Sequence, residues 1–268
     1  MPFVLLLSLL AAEPDYVAPM KKLLAESKGR PGVVIHVGDS ITYANPYGQW
    51  ARFGKGQSAA DKAILQWMHA GKGDDTDGWF LAAVDRPGGR SETAAGGLRA
   101  DQLLAGDKNR LPSLADLISK YRPQMVVLMI GTNDASAGRG VKAYRADLDK
   151  CVDTILAAKA ICLLTTIPPH VARPDLSKDY NAAVREIAAA KKIPLIDYEA
   201  EILRRRPTDW NGTLLNENDV HPTAGQGKVG PSSEPTEENL RQSGYLLRGW
   251  LTVQKIAEVK RLVFDGQP

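Results

Sequence analysis

The sequence predicts an α/β fold built on a mostly parallel sheet, because two kinds of segment alternate along the chain. Short, almost continuously apolar runs cover residues 33–37, 124–130, 161–167 and 193–196. Such runs are typical of strands that are buried on both faces of a parallel sheet. Between them, residues 143–158 and 176–192 carry apolar side chains on one helical stripe. Strands that alternate with amphipathic helices indicate a parallel sheet covered by helices.

Helices are also predicted at the two ends of the domain. Residues 16–27 have helical spacing until Gly29-Arg30-Pro31-Gly32 interrupts the pattern. Residues 251–264 are predicted to form the last helix, with its apolar residues facing the domain. We expect one domain over residues 13–268, since no boundary of a second domain is visible.

One long segment does not fit a minimal strand–helix alternation. Residues 50–93 are rich in Gly, Asp and aromatic side chains and lack a clear period. Long irregular segments in a compact domain are usually functional loops or disordered. Because this one carries Trp67, Trp79 and Phe80, we interpret it as an ordered insertion.

The bulk composition excludes some classes of partner. A chain of 268 residues is long enough for one well-cored domain, and 44% hydrophobic and 24% charged residues are ordinary for a globular protein. The formal net charge of +3 is too small to suggest a nucleic-acid partner. Cys151 and Cys162 are predicted to be free and buried, because two cysteines do not make a disulfide framework.

The first twelve residues form a hydrophobic segment that resembles a secretory signal. An apolar stretch of about ten residues ends in small residues, as the central part of such signals does. It is too short to span a bilayer, which needs about 20 residues, so no integral membrane segment is expected. Residues 1–12 therefore predict a secreted or periplasmic protein. The alternative is a hydrophobic segment that docks on the domain.

Four polar blocks follow one another along the chain. They are Gly38-Asp39-Ser40-Ile41, Gly96-Gly97, Gly131-Thr132-Asn133-Asp134 and Asn218-Asp219-Val220-His221-Pro222. The first and third directly follow predicted strands, and the carboxyl ends of parallel strands are where such sheets bind ligands. A serine nucleophile, a histidine base, and glycine and asparagine donors to an oxyanion are the groups that acyl transfer uses.

These blocks, in this order, resemble the SGNH (GDSL-type) hydrolase family. The resemblance runs from about Gly32 to Pro222. It implies a three-layer, doubly wound, flavodoxin-like fold and a serine esterase that needs no metal and no cofactor. By the same resemblance Ser40 is the nucleophile and His221 the general base. The oxyanion hole consists of the backbone N–H groups of Ser40 and Gly97 and the side chain of Asn133.

The third catalytic residue is where the sequence departs from the family. The family places an Asp three residues before the His, and here that position is Asn218, whereas Asp219 stands two residues before His221. We predict Asp219 as the third member, because only an anion stabilises the imidazolium charge. Asn218 as orienter of the imidazole, or a Ser–His dyad oriented by the backbone, stays open as an alternative.

Two further residues near these blocks are predicted to have structural roles. Asp39, beside the serine, is interpreted as a turn former. His36, in the middle of the first strand, is interpreted as a packed core residue. His170 follows Pro168-Pro169 at a strand end, where a place on the rim of the site is an option.

The resemblance leads to a functional hypothesis of ester hydrolysis through an acyl-enzyme, on a small-molecule or saccharide ester. We expect an O-acetylated carbohydrate, since the N-terminal segment predicts export and Tyr47, Trp67 and Trp79 could stack on sugar rings. The alternative for these aromatic residues is a place in the core. Two other functions remain: a lipase or short-chain esterase on non-sugar esters, and a carbohydrate-binding module without activity.

Overall fold

The protein is described by a computed structural model that covers residues 13–107 and 110–266. The signal-like segment, residues 1–12, lies outside the described residues. Within the described ranges, no helix is both long and apolar enough to cross a membrane.

The centre of the fold is a parallel four-stranded sheet in the order β1-β2-β3-β4. The strands are β1 (Arg30–Gly38), β2 (Pro123–Met129), β3 (Ile161–Thr165) and β4 (Leu195–Ile196). On the free edge of β1, Gly38 also forms an isolated parallel bridge with Ala94. The predicted parallel sheet is therefore confirmed. The apolar runs become strands because helices cover both faces and exclude water from them.

The helices begin and end at residues close to those that the sequence predicts, with several short helices added. In chain order they are α1 (Val17–Ala25), α2 (Ser40–Tyr43), α3 (Asn45–Phe53), α4 (Ala59–Trp67), α5 (Gly78–Ala82), α6 (Ala100–Ala105), α7 (Leu114–Tyr121), α8 (Thr132–Ser136), α9 (Val141–Ala157), α10 (Pro174–Lys191), α11 (Tyr198–Arg205), α12 (Glu237–Leu240) and α13 (Gly244–Val259). A π-helical turn, Lys260–Phe264, continues α13.

Helices on the two faces of the sheet complete three layers. Helices α6, α7 and α10 pack around α9, and both α9 and α10 contact β3. Helices α3 and α4 pack on α13, which contacts β4, while α1 contacts β3 and the π-helical turn. This is the doubly wound α/β arrangement that the resemblance implied. Both cysteines are free and buried within it.

Strand β1 and the last helix begin earlier than predicted. Strand β1 begins at Arg30, inside the segment predicted as a break, and its pairing register shifts between Arg30 and Val34. The last helix begins at Gly244 rather than at residue 251. Nearly all residues in its first two turns are buried, so that part has no polar face and no visible helical period. Ser243 caps the start by accepting a hydrogen bond from the Leu246 N–H.

The segment predicted as an insertion, residues 50–93, contains α4 and α5. Helix α5 packs on β1, and a Cβ atom on Gly78 would collide with the Val34 carbonyl oxygen. Glycine therefore lets this helix approach the strand closely. The segment covers part of the sheet, and its Trp50 and Trp79 side chains are buried in the core.

Candidate active site

The polar block around Ser40 lies at the carboxyl end of β1. A Cβ atom on Gly38 would collide with the Met129 carbonyl oxygen, so glycine allows the strand to end close to β2. Asp39 follows in an extended conformation, and its Oδ1 accepts a hydrogen bond from the Ile41 N–H at 3.0 Å. This cap starts α2, and Ser40 is its first residue. The half-buried serine therefore projects from the edge of the sheet.

His221 also lies near Ser40, but it belongs to a loop that does not follow a strand of the main sheet. Leu214 and Leu215 are fully buried and anchor the loop in the core. The Asn216 N–H donates to the His221 carbonyl oxygen at 2.9 Å, and the Thr223 N–H donates to the Leu214 carbonyl oxygen at 2.9 Å. Backbone hydrogen bonds thus fix the loop on both sides of His221.

Three side chains form a hydrogen-bonded series. The distance between Ser40 Oγ and His221 Nε2 is 2.9 Å. His221 Nδ1 lies 2.9 Å from Asp219 Oδ1 and 3.0 Å from Asp219 Oδ2. An ionised carboxylate can only accept, so Nδ1 carries the proton and Nε2 is free to accept the serine hydroxyl proton. This tautomer is the one that a general base requires.

The electrostatics of Asp219 agree with that geometry. Burial by itself would raise the pKa of the Asp219 carboxyl. The hydrogen bonds from His221 and from the Val220 N–H outweigh burial, and the pKa is lowered from its usual value. Asp219 is therefore ionised near neutral pH.

Asn218 has a different position. Its backbone is in the left-handed region, with φ of +56°, and its N–H donates to Asn211 Oδ1 at 2.9 Å. The side chain is exposed, and no hydrogen bond among the described residues connects it with His221. Of the two candidates for third residue, the structure brings Asp219 and not Asn218 to the imidazole. The left-handed turn at Asn218 precedes Asp219 directly.

Gly97 lies in a turn before α6, and the helix begins at Ala100 rather than at Gly97 as predicted. Its φ of +70° is a conformation that favours glycine. The residue is exposed, and no described group accepts a hydrogen bond from its N–H. A backbone donor is therefore available at this turn.

Asn133 connects the predicted donors to one another. It lies in α8, directly after β2 and Gly131. Its Nδ2 donates to the Leu98 carbonyl oxygen at 3.1 Å and lies 3.3 Å from Asp39 Oδ2. Leu98 follows Gly97 and Asp39 precedes Ser40, so the three predicted donors belong to one local cluster.

Asp39 and Asp134 are buried acidic residues that hold the polar blocks together. Asp39 was predicted only as a turn former. Burial raises the pKa of Asp39 to about 6, against the hydrogen bond from the Ile41 N–H and the positive charge of Arg248. Asp134 is also buried, accepts from the Ala100 N–H at 3.0 Å and pairs with Arg139. Burial raises the pKa of Asp134 as well. These carboxyl groups connect the blocks around Ser40, Gly97 and Asn133.

Arg248 is a buried residue of the site that the sequence does not single out. This α13 side chain is only 1% exposed. Nη1 donates to the Ile41 carbonyl oxygen at 2.7 Å and Nη2 to Thr42 Oγ1 at 3.0 Å. Its guanidinium also lies over the Tyr47 ring at 3.8 Å. Arg248 therefore holds the short helix that carries Ser40.

The expectation that Tyr47, Trp67 and Trp79 bind sugar is wrong for two of these residues. Tyr47 and Trp79 are each 1% exposed and pack around His36, whose ring centroid lies 4.0 Å from that of Trp79. Trp67 is partly buried, with its ring edge to face against Phe264. Burial lowers the pKa of His36 to about 3, so this core histidine is neutral.

The described residues contain no group of three or more His, Cys, Asp or Glu side chains that could hold a metal ion. His170 contacts Ser136 and not the series of Ser40, His221 and Asp219. The distance between Ser136 Oγ and His170 Nε2 is 2.9 Å, and this pair lies at the end of α8. Burial lowers the pKa of His170.

The chain belongs to the GDSL-like lipase/acylhydrolase family, whose model matches residues 36–225. This range includes the blocks of Ser40, Gly97, Asn133 and His221. The family is one of ester hydrolases. No curated protein matches the chain at a significant level.

Solved structures of the same fold come from several bacteria. A lipase/acylhydrolase from Enterococcus faecalis is 20% identical, with 84% of this chain and 95% of that chain covered and a TM-score of 0.52. A GDSL-like lipase from Bacteroides thetaiotaomicron VPI-5482 is 17% identical, with coverage of 91% and 98% and a TM-score of 0.51. A variant of an acetylxylan esterase from Geobacillus stearothermophilus is 18% identical, with coverage of 86% and 94% and a TM-score of 0.52. At these identities the likeness establishes the shared fold.

Proposed function

We propose that the protein is a serine esterase that hydrolyses carboxylic esters through an acyl-enzyme formed on Ser40. The observation that carries this proposal is the hydrogen-bonded series from Ser40 through His221 to Asp219. A serine hydroxyl is a weak nucleophile until an oriented base accepts its proton, and this series provides such a base.

The proposed reaction has two halves. Ser40 Oγ attacks the ester carbonyl carbon while His221 Nε2 accepts the hydroxyl proton, and the carbonyl oxygen becomes an oxyanion. The N–H groups of Ser40 and Gly97 donate hydrogen bonds to it. The Asn133 amide does so as well when its longer hydrogen bond, 3.3 Å to Asp39 Oδ2, is exchanged for one to the oxyanion. His221 then protonates the departing alcohol. In the second half, a water molecule repeats the attack on the acyl-enzyme and releases the acid and free Ser40.

We further propose an O-acetylated carbohydrate as the substrate. A cavity of about 270 Å³ lies beside the Gly97 turn and is lined by polar and charged groups as well as small apolar ones. Its lining includes Tyr43, Arg90, Ser91, Gly96 and Arg110. A long acyl chain needs a continuous apolar channel, whereas hydroxyl groups of a sugar can pair with such polar side chains. The fold shared with an acetylxylan esterase supports the same choice.

Covalent labelling with a fluorophosphonate tests the chemistry directly. We expect stoichiometric labelling of Ser40 in the wild type and none in Ser40→Ala, with unchanged thermal unfolding because a half-buried hydroxyl adds little packing. An unlabelled wild-type serine would contradict the proposal and favour a binding module without activity.

A substrate panel tests the choice of ester. We expect kcat/KM to be highest on acetylated saccharides, lower on aryl acetates and lowest on acylglycerols with long chains. Preference for long acyl chains would overturn the carbohydrate proposal and leave the serine mechanism intact.

Secretion is also proposed, and release of the processed protein from cells tests it.

A further inference from the structure

We propose that Arg110 is a positioning residue for the oxyanion hole, because it binds the carbonyl group of the peptide whose N–H belongs to Gly97. This inference rests on the proposed function, since the direction of that N–H matters only if the protein stabilises an oxyanion. Arg110 does not belong to any of the four motif blocks.

The guanidinium of Arg110 is held at both ends. Nη1 donates to the Gly96 carbonyl oxygen at 2.8 Å. At the other end, Nε and Nη2 lie 2.9 Å and 2.8 Å from Asp107 Oδ2. The ion pair with Asp107 therefore fixes the direction in which Nη1 points.

The turn that carries Arg110 is itself closed. The Asp107 N–H donates to the Leu111 carbonyl oxygen at 2.8 Å, and the Leu111 N–H donates to the Asp107 carbonyl oxygen at 2.9 Å. Leu111 is buried and anchors the turn in the core. Asp107 and Leu111, on the two sides of this segment, are therefore joined by two backbone hydrogen bonds.

The Gly96 carbonyl and the Gly97 N–H belong to one planar peptide unit. Because that unit is rigid and trans, a bond that fixes the carbonyl also fixes the N–H on its opposite side. Two consecutive glycines would otherwise allow this peptide to rotate more freely than any other pair of residues. An external anchor is therefore needed to keep the donor in one direction.

Arg110 also affects the strength of the donor. Hydrogen bonds from a charged group are about twice as strong as neutral ones. A donor on a peptide carbonyl polarises the amide, which strengthens its N–H by roughly 10–30% per bond.

The turn is held at a second carbonyl by Asn133, which binds Leu98. Arg110 thus binds the carbonyl of the residue before Gly97, and Asn133 binds the carbonyl of the residue after it. The distance of 3.2 Å between Arg110 Nη1 and a Cβ atom placed on Gly97 shows how closely the guanidinium approaches this turn.

The test replaces the guanidinium by an apolar chain of similar length. On an aryl acetate, which has no sugar hydroxyl for Arg110 to bind, we expect Arg110→Met to lower kcat about tenfold and leave KM within about twofold, because the donor acts mainly on the oxyanion. The rate of Ser40 labelling by a fluorophosphonate should fall by a similar factor, since its reaction also places an oxygen in the oxyanion hole.

A matched control separates this effect from the loss of an ordinary surface arginine. Arg206 also joins a backbone carbonyl and an aspartate three residues away, with 2.9 Å to the Arg241 carbonyl oxygen and 3.0 Å to Asp209 Oδ2. Its side chain is 27% exposed, against 34% for Arg110. Arg206→Met should retain wild-type kcat and labelling rate.

Wild-type kcat and labelling in Arg110→Met, or a change confined to KM, would overturn the role of Arg110 and leave the serine mechanism standing. Failure of the wild-type protein to be labelled at Ser40 would instead remove the proposed function. If Arg110→Met does not fold, Arg110→Lys serves in its place. We expect a loss in kcat of about threefold, because a lysine ammonium keeps the charge but cannot bind the Gly96 carbonyl and Asp107 at the same time in the geometry of the guanidinium. An unchanged kcat in that variant would contradict the proposal.

Discussion

Ser40 and His221 hydrogen-bond to each other, yet the regions that carry them are held in place differently. Ser40 lies two residues after the end of β1, whose last residues are all buried, and the buried Arg248 binds the helix that begins with Ser40. His221 lies in a loop whose residues 216–221 are exposed or half-buried. Backbone hydrogen bonds at Asn216 and Thr223 hold that loop.

Because of this difference, we expect substitutions in the two regions to have different effects on the stability of the fold and on activity. Substitutions around Ser40 disturb buried polar groups, which are costly to leave without partners. Substitutions around His221 affect exposed groups that contribute little to folding. We therefore expect changes at the buried groups that hold Ser40 to alter both stability and activity, and changes on the histidine side to alter activity alone.

The largest expected effect lies on the histidine side. Asp219→Asn should lower kcat by about 10⁴-fold, the loss seen for the equivalent change in a serine protease, because an amide does not stabilise the imidazolium. Its free energy of unfolding should change by less than about 0.5 kcal/mol. Asn218→Gly, which permits the positive φ, should retain activity. Steady-state kinetics on an aryl acetate and urea unfolding measure both, and a reversed order would assign the orienting role to Asn218.

Asn133→Ala should lower kcat by about 10²- to 10³-fold with little change in KM, since its amide is a proposed oxyanion donor. Unlike the change at Asp219, it should also lower stability by about 1 kcal/mol, because the bond to Leu98 is lost. The same kinetics and unfolding assays apply. An effect on KM alone would indicate contact with the ground-state substrate.

Arg248→Met tests how strongly the core holds the serine. It leaves the Ile41 carbonyl and the Thr42 hydroxyl without their buried donor, which we expect to lower the free energy of unfolding by about 2–3 kcal/mol. A loss of activity should accompany it, because the helix of Ser40 is no longer fixed. Full activity in a destabilised variant would show that β1 alone positions the nucleophile.

The smallest expected effect is a pH dependence caused by Asp39. Its folded pKa of about 6 is raised above the usual 3.8, so the folded state binds this proton more tightly than the unfolded state does. The contribution to stability is present below about pH 4 and is lost as pH rises through 6, by about 2 kcal/mol between pH 4 and pH 6. Asp39→Asn should lack this decline in urea titrations. Parallel pH profiles of the two proteins would contradict the assignment.

Much of the architecture is readable in the sequence because its signals are local. Continuous apolar runs predict β1 to β3 within a few residues, since parallel strands are buried on both faces. The helical stripes of α9 and α10 are equally clear. The start of α13 is not, because its first turns are buried all round and have no polar face to set a period.

The sequence by itself determined the parallel α/β fold and the residues that the site brings together, because these depend on local composition and on family motifs. Tertiary structure alone decided between Asp219 and Asn218, since one left-handed turn sets which side chain meets the imidazole. It also placed Tyr47 and Trp79 in the core, where aromatic composition did not distinguish core from sugar-binding surface. Arg248 reaches Ile41 across 207 positions of sequence, and Arg110 reaches Gly96 across 14. Such contacts depend on the path of the whole chain, and a local sequence pattern does not predict that path.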